Sequence, residues 1–234
     1  MSRKGHVKII MREYTESLLV AVLLALFLRF FVVSAYKIPT GSMVPTLKVG
    51  DFIFAYKLPY GVPIPFSNGA RWGEALPVRG DVVVFRYPGN ESVNYVKRVV
   101  GLPGDRIAIK NHQLYINDKS AEYKPHSSDV IRDLPGSESF TAIEEGFAGS
   151  SHLVIRSRTD EADFFGPVVV PAGSVFVLGD NRDSSDDSRY WGTVPTRNLE
   201  GQVVLIWLSL DWLNRWAGDQ FPTVRWDRWM KKIE

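Results

Sequence analysis

The sequence predicts a mainly β protein of strands and turns, interrupted by one inserted segment and preceded by one N-terminal transmembrane helix. Three observations predict it. One long apolar run, "SLLVAVLLALFLRFFVVSA", lies near the N-terminus. Beyond it, short runs rich in Val, Ile, Phe and Tyr are broken by Gly, Pro, Asn and Asp turn signals. Between two such stretches lies a segment of different composition, richer in Ser, Gly and Glu.

Residues 1–16 carry Arg3, Lys4, Lys8 and Arg12 against Glu13 and Glu16. Residues 17–36 are the predicted anchor. From Ser17 to Ala35 the only charge is Arg29, so the run is long enough to cross a ~30 Å hydrocarbon core as a helix. Arg29 lies towards the far end, where a long side chain snorkels to the interface. The positive flank predicts an N-terminus in the cytoplasm and residues 37–234 outside. A cleavable signal is the alternative, because Val33 and Ala35 have the spacing of a cleavage site. Arg29 and the bulky Phe30–Phe31 pair ahead of that site favour a retained anchor.

Strand-like runs follow: "DFIFAYKLPYG", "GDVVVFRYPG", "VNYVKRVVGLPGD", "RIAIKNHQLYIND", "SVFVLGDN" and "LEGQVVLIWL". Pro103-Gly104 and Asn117-Asp118 are turn chemistry. Residues 106–172 are the predicted insertion, its stretch from Glu122 to Asp163 being the least periodic. Residues 203–234 form a Trp-rich tail in which Trp207, Trp212, Trp216, Trp226 and Trp229 are interleaved with Arg215, Arg225, Arg228, Lys231 and Lys232. Trp beside Arg or Lys suits a headgroup-level surface, and a core role for these tryptophans fits equally well. Asp211, Arg215 and Asp219 exclude a second membrane span here.

The 28 Lys+Arg and 26 Asp+Glu leave a formal charge of +2, too little for an electrostatic nucleic-acid binder. With no cysteine, disulfides, thiolate metal sites and a cysteine nucleophile are excluded.

The candidate chemistry begins in "KIPTGSMVPTLKVGD", where Ser42 sits between Pro39 and Pro45. The prolines fix φ on both flanks, which holds the serine in place, although a rigid turn alone explains them too. From an anchor ending near residue 36, an extended tether keeps Ser42 within ~25 Å of the bilayer. Thr40 and Gly41 offer a hydroxyl and an unhindered backbone where an oxyanion would form.

A serine hydroxyl needs a base. His6 lies on the cytoplasmic side of the predicted anchor, and His112, His126 and His152 lie in polar, loop-like surroundings. No G-x-S-x-G elbow is present. Lysine is the other option. Read as a strand, "NYVKRVVG" puts Lys97 on one face with Val93, Tyr95 and Val99, and Arg98 on the other with Asn94, Val96 and Val100. A lysine among apolar neighbours is desolvated, which disfavours its charged form. Spacing alone nevertheless favours a lysine that snorkels out of the strand face.

"GDNRDSSDDSRYWG", Gly179 to Gly192, has four aspartates, but Arg182, Ser184 and Ser185 occupy the ligand and glycine positions that a calcium loop needs. It reads instead as an internally paired loop with Arg182 and Arg189 forked onto carboxylates.

Taken in order, the anchor, "IPTGSMVPTL", "RGDVVVFRYP", "YVKRVVGLPGD" and "GDNRDSSDDSR" resemble the bacterial type I signal peptidases, membrane-bound endopeptidases that use a Ser/Lys pair. The resemblance covers Tyr36 to Arg189 apart from the insertion. It implies that Ser42 is the nucleophile and Lys97 the general base, overturning the reading from spacing. It further implies that Thr40 and the Ser42 N–H line the oxyanion hole, that Ser185 orients Lys97, and that Arg182 and Asp187 form a structural ion pair. Tyr36, Ile38, Met43, Leu47, Val84, Tyr95 and Val96 would line two small-residue pockets, giving cleavage after Ala-X-Ala. The resemblance also implies the fold: an antiparallel-sheet catalytic domain that carries an inserted β subdomain and follows the anchor. The implied partners are preproteins with signal peptides, membrane lipid and a nearby export translocon, with no cofactor or metal required. The implied location is the bacterial inner membrane, crossed once.

Alternatives are weaker. A self-cleaving repressor would need a DNA-binding helix-turn-helix where the apolar run stands. The S-x-x-K spacing from Ser34 to Lys37 lacks the SDN and KTG companions of a penicillin-binding protein. A catalytically inactive, membrane-tethered β-domain that binds preproteins or translocon components stays open; it predicts binding without turnover.

Overall fold

The computed structural model describes residues 3–64, 67, 71–73, 75–147, 149–158, 163–212 and 221–233. An α-helix over Arg3–Phe27 continues as a π-helical turn, Leu28–Val32. Its apolar part, Met11–Val32, is exposed along most of its length and is long and apolar enough to cross a membrane. The helix ends earlier than the composition suggests. Val33 is extended at φ −137, and Val33–Lys37 pairs antiparallel with Asp51–Tyr56, placing Tyr36 opposite Ile53. Once a strand partner satisfies the backbone, β-branched and aromatic residues prefer the ladder to further helix. Lys57 covers the helix end, its Nζ donating to the Phe30 carbonyl at 3.2 Å and the Arg29 carbonyl at 3.4 Å.

The main sheet runs in the order Val33–Lys37, Asp51–Tyr56, Leu199–Asp211, Val82–Tyr87, Asn90–Gly101, Ser174–Leu178, Val194–Pro195, and every pair in it is antiparallel. It is buried on both faces around its middle. Met43, Leu47, Ile53, Ala55, Val84 and Ile206 form one apolar cluster, while Val83, Phe85, Val99, Val175 and Val177 form another. The near-continuous apolar run "VVVF" follows from this: Val82 to Phe85 are all buried, with alternate residues serving different clusters.

Between Gly101 and Ser174 the chain builds two further sheets. One is ordered Phe164–Val169, Arg106–Lys110, Gln113–Ile116, Lys119–Ser120; the other is Glu122–Pro125, Phe140–Phe147, Ser150–Ser157. Asn117 and Asp118 both adopt positive φ at the hairpin before Lys119–Ser120, as turn residues do. The first sheet shares a core with the main one through Ile107, Ile109, Leu114, Val100, Phe176 and Leu178. The second packs Ile131, Ala142 and Ile155 against Val44, two residues beyond Ser42.

The described part of the tail is divided. Trp207 is half-buried and stacks on Phe54, with ring centroids 5.7 Å apart. Trp226 and Trp229 are exposed and touch each other edge to face. Trp216 lies outside the described residues.

Candidate active site

Ser42 stands in a turn after the first strand. The Val44 N–H donates to the Gly41 carbonyl at 3.1 Å, and the Leu47 N–H to Met43 at 2.8 Å. Asn181 holds the turn from outside: its backbone N–H donates to the Ser42 carbonyl at 3.0 Å and its Nδ2 to the Gly41 carbonyl at 3.2 Å. Asn181 is itself fixed by a bridge to Ile155, whose N–H donates to Asp180 at 2.9 Å. The inserted lobe therefore helps to hold the serine loop. Apolar packing beneath Met43, Val44 and Leu47 completes the support.

Lys97 belongs to the Asn90–Gly101 strand and is 4% exposed. Its Nζ lies 2.6 Å from Ser42 Oγ. Burial pulls the ammonium down to about 8, and the Asp187, Asp186 and Asp180 carboxylates only partly restore it. A lysine in this state donates to Ser42 Oγ when charged. When neutral, it offers a lone pair to the serine proton at the same distance.

An open cavity of about 460 Å³ lies over the pair, lined by Tyr36, Ile38, Met43, Val84, Tyr95 and Val96 together with Thr40, Ser42 and Lys97. Leu47 differs from expectation. It is fully buried in the core with Ile53 and Ile206 and does not reach the cavity wall, because the turn points it inward. Thr40 is exposed at the rim, and among the described residues no hydrogen bond takes the Ser42 N–H. Both are the donors an oxyanion would need.

The Gly179–Gly192 loop closes the other side. Ser185 is buried, but its hydroxyl has no hydrogen-bond partner among the described residues, so the expected bond to Lys97 is not formed here. It presses on Gly179, where a Cβ would also come within 2.6 Å of the Ser42 carbonyl oxygen. Only glycine fits between them.

The expected Arg182–Asp187 ion pair is not formed. Arg182 forks onto Glu145 of the inserted lobe at 2.5 and 2.6 Å, and Asp187 takes Arg189 at 2.8 and 3.0 Å and the Gly179 N–H at 3.0 Å. Glu145 is 1% exposed. Burial pushes it up, but the Arg182 charge and His152 outweigh this and hold it well below the usual carboxylate range. The resemblance implies Asp187 as the partner of Arg182; tertiary pairing supplies instead a carboxylate 37 residues away. Arg98 and Asp180 form a second buried pair at 2.8 Å.

Sequence reasoning missed Asn181, Gly179 and Glu145. The first two lie inside the quoted loop, but nothing in their spacing betrays the contact with Ser42.

A family model described as "Signal peptidase, peptidase S26" matches residues 11–208. The "Signal peptidase I" of Pseudomonas aeruginosa is 39% identical over 212 residues, spanning 84% of this chain and 72% of that one. That of Rickettsia akari is 34% identical across 91% and 86%, and that of Aquifex aeolicus 34% across 85% and 85%. The family match runs from the apolar helix into the last long strand and takes in Ser42, Lys97 and the loop that closes over them, so the chain belongs to the signal peptidases of the peptidase S26 family.

Proposed function

We propose that this membrane-bound serine peptidase removes signal peptides with Ser42 as nucleophile and Lys97 as general base. The observation that carries the reading is the buried Lys97 Nζ, 2.6 Å from Ser42 Oγ under an apolar cavity. Neutral Lys97 takes the hydroxyl proton as Ser42 Oγ attacks the scissile carbonyl. The Ser42 N–H and Thr40 hydroxyl receive the oxyanion, and protonated Lys97 returns its proton to the leaving amine. Lys97 then takes a proton from water, which attacks the acyl ester, and Ser42 is restored.

Upstream of Arg98, the Asn90–Gly101 strand is paired on one side only among the described residues. A substrate strand added at that edge would send alternate side chains into the cavity. Its wall of Ile38, Met43, Val84 and Val96 admits small apolar groups, in keeping with cleavage after Ala-X-Ala. Arg182 and Asp187 support this loop through their separate partners, and Ser185 packs it beside the dyad. The apolar helix crosses the membrane once, with residues 1–16 in the cytoplasm and the β domain outside, close to lipid and to the export translocon.

The test is a reconstituted full-length chain given a preprotein with an Ala-X-Ala site. Product N-terminal sequencing should place the cut after the second alanine, and Ser42→Ala should abolish it. Equal cleavage by the variant would remove Ser42 from the mechanism, and binding without cleavage by the parent would favour a tethered receptor.

A further inference from the structure

The loop beside the dyad carries four aspartates, and the fold commits three of them. Asp180 is buried on Arg98, Asp187 is buried on Arg189, and Asp183 accepts the Ser157 N–H at 2.6 Å. Asp186 is the remainder. It is exposed, lines the cavity over Ser42 and Lys97, and has no hydrogen bond or ion pair among the described residues. Its neighbours Ser185 and Asp187 are buried, so a well-fixed loop presents this carboxylate at the rim.

Asp186 is the only carboxylate among the described residues that line the cavity. The two cations there are differently placed: Lys97 is buried on Ser42, and Lys37 lies over the Trp212 ring at 5.6 Å. The field of Asp186 reaches the dyad and the cavity wall, since it opposes the fall of Lys97 and adds to the rise of Tyr95. A carboxylate kept free at this place has no role in the packing of the loop.

Resting on the Ser42–Lys97 reading, we propose that Asp186 is a specificity-determining residue that reads charge on a substrate side chain beside the cut, favouring Lys or Arg over Asp or Glu. The side chain concerned is one that projects to the rim rather than into the apolar cavity, which an added strand provides at alternate positions.

The experiment uses the full-length chain in lipid vesicles and preproteins with one Ala-X-Ala site. Lys, Gln or Glu is placed in turn at the residue between the alanines and at the first two residues after the cut. At one of these positions the Lys-to-Glu ratio of kcat/KM should be about 3–10 at low salt, the scale of an exposed charge contact. The ratio should fall to about 1 in Asp186→Asn, drop below 1 in Asp186→Lys, and shrink in the parent at ~1 M salt, where screening acts over ~3 Å. A merely structural Asp186 would change all substrates alike. The same ratio in all three proteins overturns the proposal and leaves the Ser42–Lys97 reading standing. Failure of the parent to cleave the Gln substrates overturns both.

Discussion

Lys97 and Arg98 are consecutive residues of one strand, and the fold treats their charges in opposite ways. Arg98 meets Asp180 through Nε at 2.9 Å and Nη2 at 2.8 Å, with both side chains buried. Lys97 is nearly as buried, yet among the described residues it makes no ion pair, and its contact is the hydroxyl of Ser42. Strand alternation causes the division, because neighbours in a strand point to opposite faces. One face supplies a counter-charge and the other withholds it.

That withholding has a stability cost. The folded value of Lys97, about 8, lies below the ~10.4 of a free lysine, so the unfolded chain holds the extra proton between them. Stability therefore rises with pH across that window, and the penalty is fully present below it. Lys97→Met should be more stable than the parent near neutral pH by about 1–3 kcal/mol in urea unfolding. Its peptidase activity should fall at least ~100-fold.

Gly179→Ala would place a methyl group against Ser185 and 2.6 Å from the Ser42 carbonyl oxygen. Overpacking of this kind costs about 1–3 kcal/mol. A serine displaced by ~1 Å loses on the order of 100-fold in rate. Steady-state kinetics should show the loss mainly in kcat.

Glu145 is held well below its ordinary value, so its contribution is present above about pH 4.3, the unfolded value, and is lost as pH falls through the folded one. Glu145→Gln leaves Arg182 buried without its counter-charge and should cost about 3–5 kcal/mol at neutral pH. Denaturation followed from pH 7 downwards should show the gap between parent and variant narrowing.

If Thr40 supplies an oxyanion donor, Thr40→Val keeps its shape and removes the hydroxyl. Its kcat should fall by about 100–1000-fold with little change in KM, and Thr40→Ser should retain most of the activity.

The strands nearest the site were legible because their apolar runs are bounded by turn residues. "GDVVVFRYPG" and "SVFVLGDN" needed no tertiary information. The lysine was ambiguous on spacing, since a strand places a side chain on a face without saying whether that face is wet. Phe140–Phe147 and Ser150–Ser157 were illegible as strands: their burial is irregular and includes Glu145, whose desolvation is offset by a distant arginine. The pair that the resemblance implies, Arg182 with Asp187, is replaced for the same reason, since folding brings the distant Glu145 onto Arg182. The anchor expected over residues 17–36 includes Val33 to Tyr36, which are strand, because an apolar run does not reveal where a β ladder begins to compete with a helix.

The most direct test of the central claim is the dependence of kcat/KM on pH for one preprotein, measured from pH 6 to 10 with the full-length chain in lipid. A lysine base held at about 8 predicts a tenfold rise per pH unit on the acid side and a plateau above about 8. An acid limb centred near ~6.5, the ordinary histidine value, or a flat profile would contradict it.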